Sequence, residues 1–412
     1  MHFLYNFAIK SAEKLLPLAG RYNEKLRLFN HGRKDLFEHL ATEIAPTDRT
    51  IWFHAASLGE YEQAVPVIGQ VKEIFPKHKI VLSFFSPSGY EVRKNTSLVD
   101  VVTYLPLDTK KNASRFIDLV HPDWALFIKY EFWPNFLEEL RRRKTRTLLI
   151  SGVFREDQVF FKPYGKWMRK YLEAFEYFFL QNQNSKELLD RIGFKNSEVS
   201  GDTRFDRVSA QLEQNNHLGF VEDFVDNNLC IVAGSTWPED EDLLINFINE
   251  AKTGVRFIIA PHAIKKEKIE AFQNKLEVSS VLYSEKDSKQ LKDYKVLIID
   301  NVGLLTKIYS YANIAYVGGA AGETGLHNVL EPAAFGIPVI IGKNHSKFPE
   351  AGALERSGGL LSVKSSEEAG AALTQLVGDK SIRERMGSNS AAYIRKNRGA
   401  TTMISEYFLK KR

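Results

Sequence analysis

The sequence predicts an α/β protein built as two doubly wound, parallel-sheet domains with a cleft between them. Three observations carry this. From Thr50 onward, short apolar runs alternate with longer helical patterns, as in parallel strands joined by crossover helices. The alternation stops in a polar, Asn-rich stretch over 210–228 and then begins again. At 412 residues and 44% hydrophobic content, the chain is long enough for two or three domains, each with its own core.

Residues 1–40 form a helical N-terminal segment. Phe3, Leu4, Phe7, Ala8, Leu15 and Leu18 recur at roughly helical spacing, with Lys10, Lys14, Arg21, Lys25 and Arg27 among and after them. Two readings stand: an interfacial helix with a basic flank, lying on a membrane surface, or a helix packed on its own domain. No stretch reaches the roughly 18 apolar residues of a membrane span, and charges interrupt any signal-peptide core. In the first domain (41–209), strands are expected at Ile51–Ala55, Ile80–Phe85, Val101–Leu105, Trp124–Ile128, Thr147–Ile150 and Tyr177–Leu180, with helices such as Glu60–Ile74 and Phe132–Arg142 between them. Residues 210–228 read as a linker. In the second domain (229–395), strands are expected at Cys230–Ala233, Arg256–Ala260, Val296–Ile299, Ile314–Val317 and Val339–Ile341. The closing helices have no strands left to cover, and the segment 396–412 is read as a helix crossing back to the first domain.

The balance of 56 basic and 51 acidic residues gives a net charge of +5. This suits an anionic substrate or a membrane surface, and nucleic acid is not expected as a partner. A single cysteine, Cys230, excludes an internal disulfide and lies in an apolar run, where a buried structural thiol is expected.

In parallel sheets, ligands bind beyond the C-terminal ends of the strands. The first such loop contains Ser57-x-x-Glu60. Glu60 there is either the carboxylate of a capping box or a general base for a hydroxyl proton. The same spacing recurs at Ser88–Glu91 and Thr236–Glu239. A second loop pairs Lys129 with Glu131 before Trp133-Pro134. A third, GDTRFDR, offers Arg204 either as a fixed cation or in a salt bridge with Asp206. In the second domain, Ser235 and Thr236 with their amides suit a phosphate, and His262 suits a nucleotide. The acidic run Glu239–Asp242 is read as complementing its helix dipole rather than holding a metal. The stretch from Asn313 to Ile341 reads as strand, glycine-rich loop, helix, strand. Gly318, Gly319, Gly322 and Gly325 keep its loop open for a ligand, Asn328 is a candidate N-cap, and Glu331 its capping partner. No G-x-G-x-x-G, Walker, G-x-S-x-G or Cys/His metal pattern is present, and no cofactor or metal is expected.

Taken in order, His54…Ser57-x-Gly59-Glu60, Ser86-Pro87-Ser88-Gly89-Tyr90-Glu91, Glu131-Phe132-Trp133-Pro134-Asn135, Gly201…Arg204-Phe205-Asp206 and Gly325-Leu326-His327-Asn328-Val329-Leu330-Glu331-Pro332-Ala333 resemble one family over nearly the whole chain. It is the Kdo transferases (3-deoxy-D-manno-octulosonic acid transferases) of lipopolysaccharide synthesis, which have the two-domain GT-B glycosyltransferase fold. The resemblance implies an inverting, metal-independent transfer of Kdo from CMP-Kdo to a lipid A precursor, lipid IVA, at the cytoplasmic face of the inner membrane. It implies Glu60 as general base, with Glu131, Lys129 and Arg204 at the reacting centre. Ser57, Gly59 and Ser88 would face the acceptor. Ser235, Thr236, His262, Gly303 in the turn Val302–Leu304, Gly319, Gly325, His327, Asn328 and Glu331 would face the donor. The chain departs from the family at Lys129, where a first glutamate is usual, at Arg204, usually lysine, and at Ala260-Pro261-His262, where an arginine is usual and Lys265 or Lys266 is the candidate replacement. Two alternatives remain: a GT-B enzyme with a UDP-sugar donor, and a non-catalytic module binding anionic lipid through its N-terminal helix.

Overall fold

Two parallel sheets of seven strands organise the protein in the computed structural model, which describes residues 1–19 and 22–411. The strands of the first are Arg49–His54 (β1), His78–Phe84 (β2), Val101–Tyr104 (β3), Pro122–Ile128 (β4), Arg146–Gly152 (β5), Tyr177–Leu180 (β6) and Ser197–Val199 (β7), in the order β3-β2-β1-β4-β5-β6-β7. Those of the second are Leu229–Thr236 (β8), Val255–Pro261 (β9), Ser280–Leu282 (β10), Val296–Ile298 (β11), Ile314–Val317 (β12), Val339–Gly342 (β13) and Leu360–Val363 (β14), in the order β10-β11-β9-β8-β12-β13-β14. Each sheet belongs to one of two units, Met1–Arg207 with Arg398–Arg412, and Val208–Asn397. The edge strands β7, β10 and β14 have no counterpart among the expected runs. They are three or four residues long and only partly buried, too short and too polar to stand out as apolar runs.

Strand periodicity places the core on both faces of each sheet. In the first unit, Ile51, Phe53, Leu126 and Ile150 pack against the helix Leu58–Ile74 on one face. Trp52, Phe127 and Leu149 pack against Lys110–Val120 and Pro134–Arg143 on the other. In the second, Ile231 and Ala233 face one core while Cys230 and Val232 face the other. Burial pushes the Cys230 thiol up to about 12, so it is unreactive at neutral pH.

The linker segment is built differently from expectation, while both terminal helices pack on the first unit. Residues 210–228 are not a bare linker: a 3-10 turn at Ala210–Glu213 leads to the helix Gly219–Val225, whose Val221 and Phe224 are buried in the second unit. Apolar residues in this polar stretch had a core to join. The N-terminal helix His2–Ala19 docks on the first unit through its polar residues. The Tyr5 hydroxyl donates to Asp108 at 2.7 Å, Asn135 donates to Asn6 at 2.9 Å, and Asn112 donates to Glu13 at 2.6 Å. The opposite face leaves Phe3 80% and Phe7 65% exposed, with Leu4, Leu15 and Leu18 also exposed. Arg21, expected in its basic flank, lies outside the described residues, and among those no helix is long and apolar enough to cross a membrane. Finally, the helix Ala400–Lys411 packs in the first unit. Its Ile404 and Phe408 are fully buried, and Phe408 meets Trp124 edge-on at 4.8 Å.

Candidate active site

The order of the first sheet reverses between β1 and β4, and that of the second between β8 and β12. In doubly wound sheets these switch points open the crevice where ligands bind. The loops after β1 and β4 carry Glu60, Lys129 and Glu131. The C-terminal end of β8 carries Ser235, and the glycine loop follows β12.

In the first unit, Ser57 caps the helix Leu58–Ile74, and its backbone N–H donates to Glu60 Oε2 at 2.9 Å. The Ser57 amide thus holds one oxygen of the carboxylate in the capping position. Glu60 is only 5% exposed. Burial first, and the charge of Glu131 second, raise its carboxyl from 4.5 to about 7, against the opposing pull of the Ser57 amide and Lys129. A carboxylate poised near neutrality suits a general base. Gly59 leaves open space, since a Cβ there would come no closer than 4.0 Å to Ser57 Oγ. The neighbouring βα loop is tied to this one by the Ser86 amide, which donates to Ala56 O at 2.8 Å. Ser88 Oγ meets Ser86 Oγ at 2.7 Å.

The loop after β4 turns sharply: Lys129 has φ 68°, a left-handed conformation costly for a side chain other than glycine. Glu131 is buried, and its Oε2 accepts from the Trp133 indole N–H at 2.9 Å. The same N–H reaches His54 Nε2 at 3.1 Å. Of the two alternatives for Arg204, the salt bridge with Asp206 is not formed. The Arg204 guanidinium holds Asp202 at 2.8 Å, and Asp202 in turn accepts from Gln63 at 3.0 Å. Asp206 instead caps the last helix, accepting from the Gly399 amide at 2.6 Å and from the Thr401 amide at 2.8 Å.

The capping boxes at Ser88–Glu91 and Thr236–Glu239 are out of register. Pro87 and Pro238 take the first helical turn, so the caps are Ser86 and Trp237. Glu91 pairs with Lys94 at 2.7 Å instead. The Trp237 amide donates to Asp240 at 2.9 Å. Asp240 also accepts from the Gly319 amide and the Tyr316 hydroxyl, both at 2.8 Å, and from the Ala321 amide at 3.3 Å. It thus pins the glycine loop to the start of a neighbouring helix. The acidic run had been a helix-dipole feature only, and this bond across the sheet has no local sequence signal. Among the described residues no group of His, Cys, Asp and Glu is placed to hold a metal.

A cavity of about 250 Å³ opens at the second switch point, lined by Ser235, Gly303, Leu305, Thr306, Tyr309, Val317, His327, Asn328 and Glu331. It gathers five of the nine expected donor residues. The other four stand outside that lining. Thr236 donates its hydroxyl to Glu241 at 3.0 Å, so it is not aimed at a ligand. Gly319 (φ 96°) and Gly325 (φ 103°) close the loop itself, where a Cβ on Gly319 would lie 2.1 Å from Gly325 O. His262 stacks on Trp237 at 4.6 Å and meets the His327 ring at 4.5 Å. Burial pushes His327 down to about 4, so it is neutral near pH 7. Its Nε2 accepts from Trp237 Nε1 at 3.3 Å, which assigns the proton to Nδ1. Glu331 does not cap its helix. The helix begins at Leu330, its amide is capped by Asn328, and Glu331 accepts from Thr306 at 3.0 Å and from Asn328 at 3.1 Å. Thr306 had not been expected here. A carboxylate so placed favours hydroxyl donors, such as a ribose diol, over a phosphate.

Two doubly wound parallel sheets with loops gathered at both switch points have the GT-B fold. The fold matches that of UDP-GlcNAc 2-epimerase from Neisseria meningitidis, with a TM-score of 0.63 at 16% identity, covering 88% of this chain and 100% of that one. Residues 21–207 match the family model of 3-deoxy-D-manno-octulosonic-acid transferase (kdotransferase). The 3-deoxy-D-manno-octulosonic acid transferase of Haemophilus influenzae is 28% identical over 86% of this chain and 85% of its own length. A bifunctional glycosyltransferase/methyltransferase of Fusobacterium nucleatum is 26% identical over 71% of this chain, which spans only 47% of that longer protein. Over most of its length the chain is thus similar to 3-deoxy-D-manno-octulosonic acid transferases.

Proposed function

We propose that this protein transfers Kdo from CMP-Kdo to a lipid A precursor, lipid IVA, with inversion and without a metal ion. The observation that carries the reading is Glu60: a buried carboxyl at a switch point, raised to about 7, with one oxygen held by the Ser57 amide. As the acceptor hydroxyl oxygen bonds to the anomeric carbon, Glu60 takes the hydroxyl proton. The bond from that carbon to the CMP phosphate breaks on the opposite face, and CMP leaves with the electron pair. Positive charge develops at the anomeric carbon, and Glu131 supplies a negative charge to stabilise it. Kdo is itself an acid, and Lys129 offers a cation for its carboxylate. The cavity of the second unit suits the nucleoside part of CMP, with Glu331 and Asn328 on the ribose.

The test is incubation with CMP-Kdo and lipid IVA, followed by mass analysis of the lipid and a comparison of CMP with UDP as stabilisers against thermal unfolding. Lipid heavier by one or more Kdo residues, with protection by CMP, is expected. An unchanged lipid together with protection by UDP alone would assign a UDP-sugar donor instead.

Membrane attachment belongs to the same proposal. The exposed apolar face of helix His2–Ala19 fits insertion at the surface of the inner membrane's cytoplasmic leaflet, where the acceptor would reside. Burying a phenylalanine side chain contributes about 1.5–3 kcal/mol. The pair Phe3→Ser and Phe7→Ser is therefore expected to weaken co-sedimentation with phosphatidylglycerol vesicles by about 10²-fold or more. These side chains make no core contact, so thermal stability without vesicles should stay unchanged. Undiminished sedimentation would remove the helix from the attachment.

A further inference from the structure

Behind Glu131 runs a chain of buried hydrogen bonds that capping and packing do not require. Trp52 Nε1–H donates to Ser83 Oγ at 2.8 Å, and His54 Nδ1 lies 2.9 Å from the same oxygen. Trp133 Nε1–H is shared between His54 Nε2 at 3.1 Å and Glu131 Oε2 at 2.9 Å. His54 and Ser83 are fully buried. Because His54 Nε2 accepts from Trp133, its proton is assigned to Nδ1, which then donates to Ser83. The serine accepts twice, and its own hydroxyl reaches Phe53 O at 3.5 Å. The imidazole is thus locked by a strand neighbour, and the indole is locked by the imidazole. Phe85 supports the Trp133 ring from the side at a centroid distance of 4.7 Å.

We propose that Trp133 is a positioning residue for the transfer: its one indole N–H, aligned by the His54–Ser83 pair, fixes the Glu131 carboxylate next to Glu60. This rests on the reading of Glu60 as the base. An apolar ring would satisfy the packing equally well. Turning the single donor of a half-buried indole onto a buried carboxylate makes sense where the carboxylate's place and charge matter. Glu60 is surrounded by few charges: Glu131 and Lys129 on the β4 loop, with Tyr130 between them, and the Ser57 amide on its own loop. Tyr130 is itself faced by Arg155, 5.5 Å from its ring centroid. Glu131 is the negative member of this set and, after burial, the largest influence that raises the proton affinity of Glu60.

The test is a double-mutant cycle of Trp133→Phe and Glu131→Gln in the full chain, with kcat/KM followed against pH. Trp133→Phe keeps the ring and removes only the donor. It is expected to lower kcat/KM by about 10²-fold, the cost of a misplaced group, and to move the acid limb of the profile to lower pH. In the Glu131→Gln background it should have little further effect, because the two residues act as a unit. Fully additive losses, or an acid limb that stays in place, would overturn the proposal. Ser83→Ala provides a second route that leaves Trp133 intact. It removes the acceptor behind His54, and it should lower kcat/KM and displace the limb in the same direction. An undisplaced limb there counts against the relay. Near-wild-type turnover by Glu60→Gln would instead sink the base assignment, so the two failures are distinguishable.

Discussion

Replacing Glu60 by glutamine is expected to lower kcat by about 10²–10⁴-fold, the usual worth of a positioned general base, and yet to leave the protein more stable in alkaline solution. The amide oxygen of glutamine still accepts from the Ser57 N–H, so the helix keeps its cap and no folding defect confuses the result. In the wild type, the base form is required, and the carboxyl is raised to about 7. Activity should therefore rise with pH through about 7 and level off above it. Stability changes with pH in the opposite direction. A carboxyl whose folded value lies above its unfolded one is stabilising while protonated, fully so below about 4.5. That contribution is lost as pH rises through about 7. The difference amounts to about 3 kcal/mol for a buried group. The variant carries no charge at any pH, so its melting temperature should exceed that of the wild type at pH 8.5 and approach it at pH 5. Equal melting temperatures at both values would mean that burial of the Glu60 charge is not costly. Unchanged turnover would mean that Glu60 is a cap alone.

Asp240→Ala is expected to be the most damaging single change in the second unit. It removes one buried carboxylate and strands four donors: the amides of Trp237, Gly319 and Ala321, and the Tyr316 hydroxyl. An unsatisfied buried donor costs about 1–3 kcal/mol. With partial relaxation and entry of water, a loss of about 4 kcal/mol in denaturant unfolding is reasonable. The glycine loop also loses its anchor, so CMP should protect the variant against thermal unfolding far less than it protects the wild type. A variant that is destabilised but still fully protected by CMP would show that the loop holds its shape without Asp240. Asp240→Asn keeps the volume and one acceptor, and should fall between the two.

Much of the architecture is legible because the cores are simple. Central strands are buried on both faces and appear as continuous apolar runs, and the crossover helices between them carry their own period. The edge strands β7, β10 and β14 escaped because three or four half-buried residues make no run. Capping was misregistered wherever proline was ignored. Pro87 and Pro238 occupy the first helical turn, and reading them as markers would have moved the caps to Ser86 and Trp237. At the site, Glu60 was visible through its spacing from Ser57. Its proton affinity was not, because that depends on burial and on Glu131, which the fold brings in from another loop. Thr306 and Asp240 had no local signal at all. Their roles exist only once β12 lies beside β8.

The return of residues 398–412 to the first unit has a consequence for biosynthesis. A ribosome releases the fragment ending at Arg207 long before it makes Ile404 and Phe408. Until then, the face of the first sheet that carries the helix Leu58–Ile74 lacks two side chains of its core, and Asp206 lacks the amides it caps. The second unit, by contrast, is one uninterrupted segment and can finish first. The unit that holds Glu60 therefore completes its core only once residues 398–412 are made. A nonsense mutation at codon 401 would leave every proposed site residue in the polypeptide and still remove Ile404 and Phe408 from the core of the unit that carries Glu60.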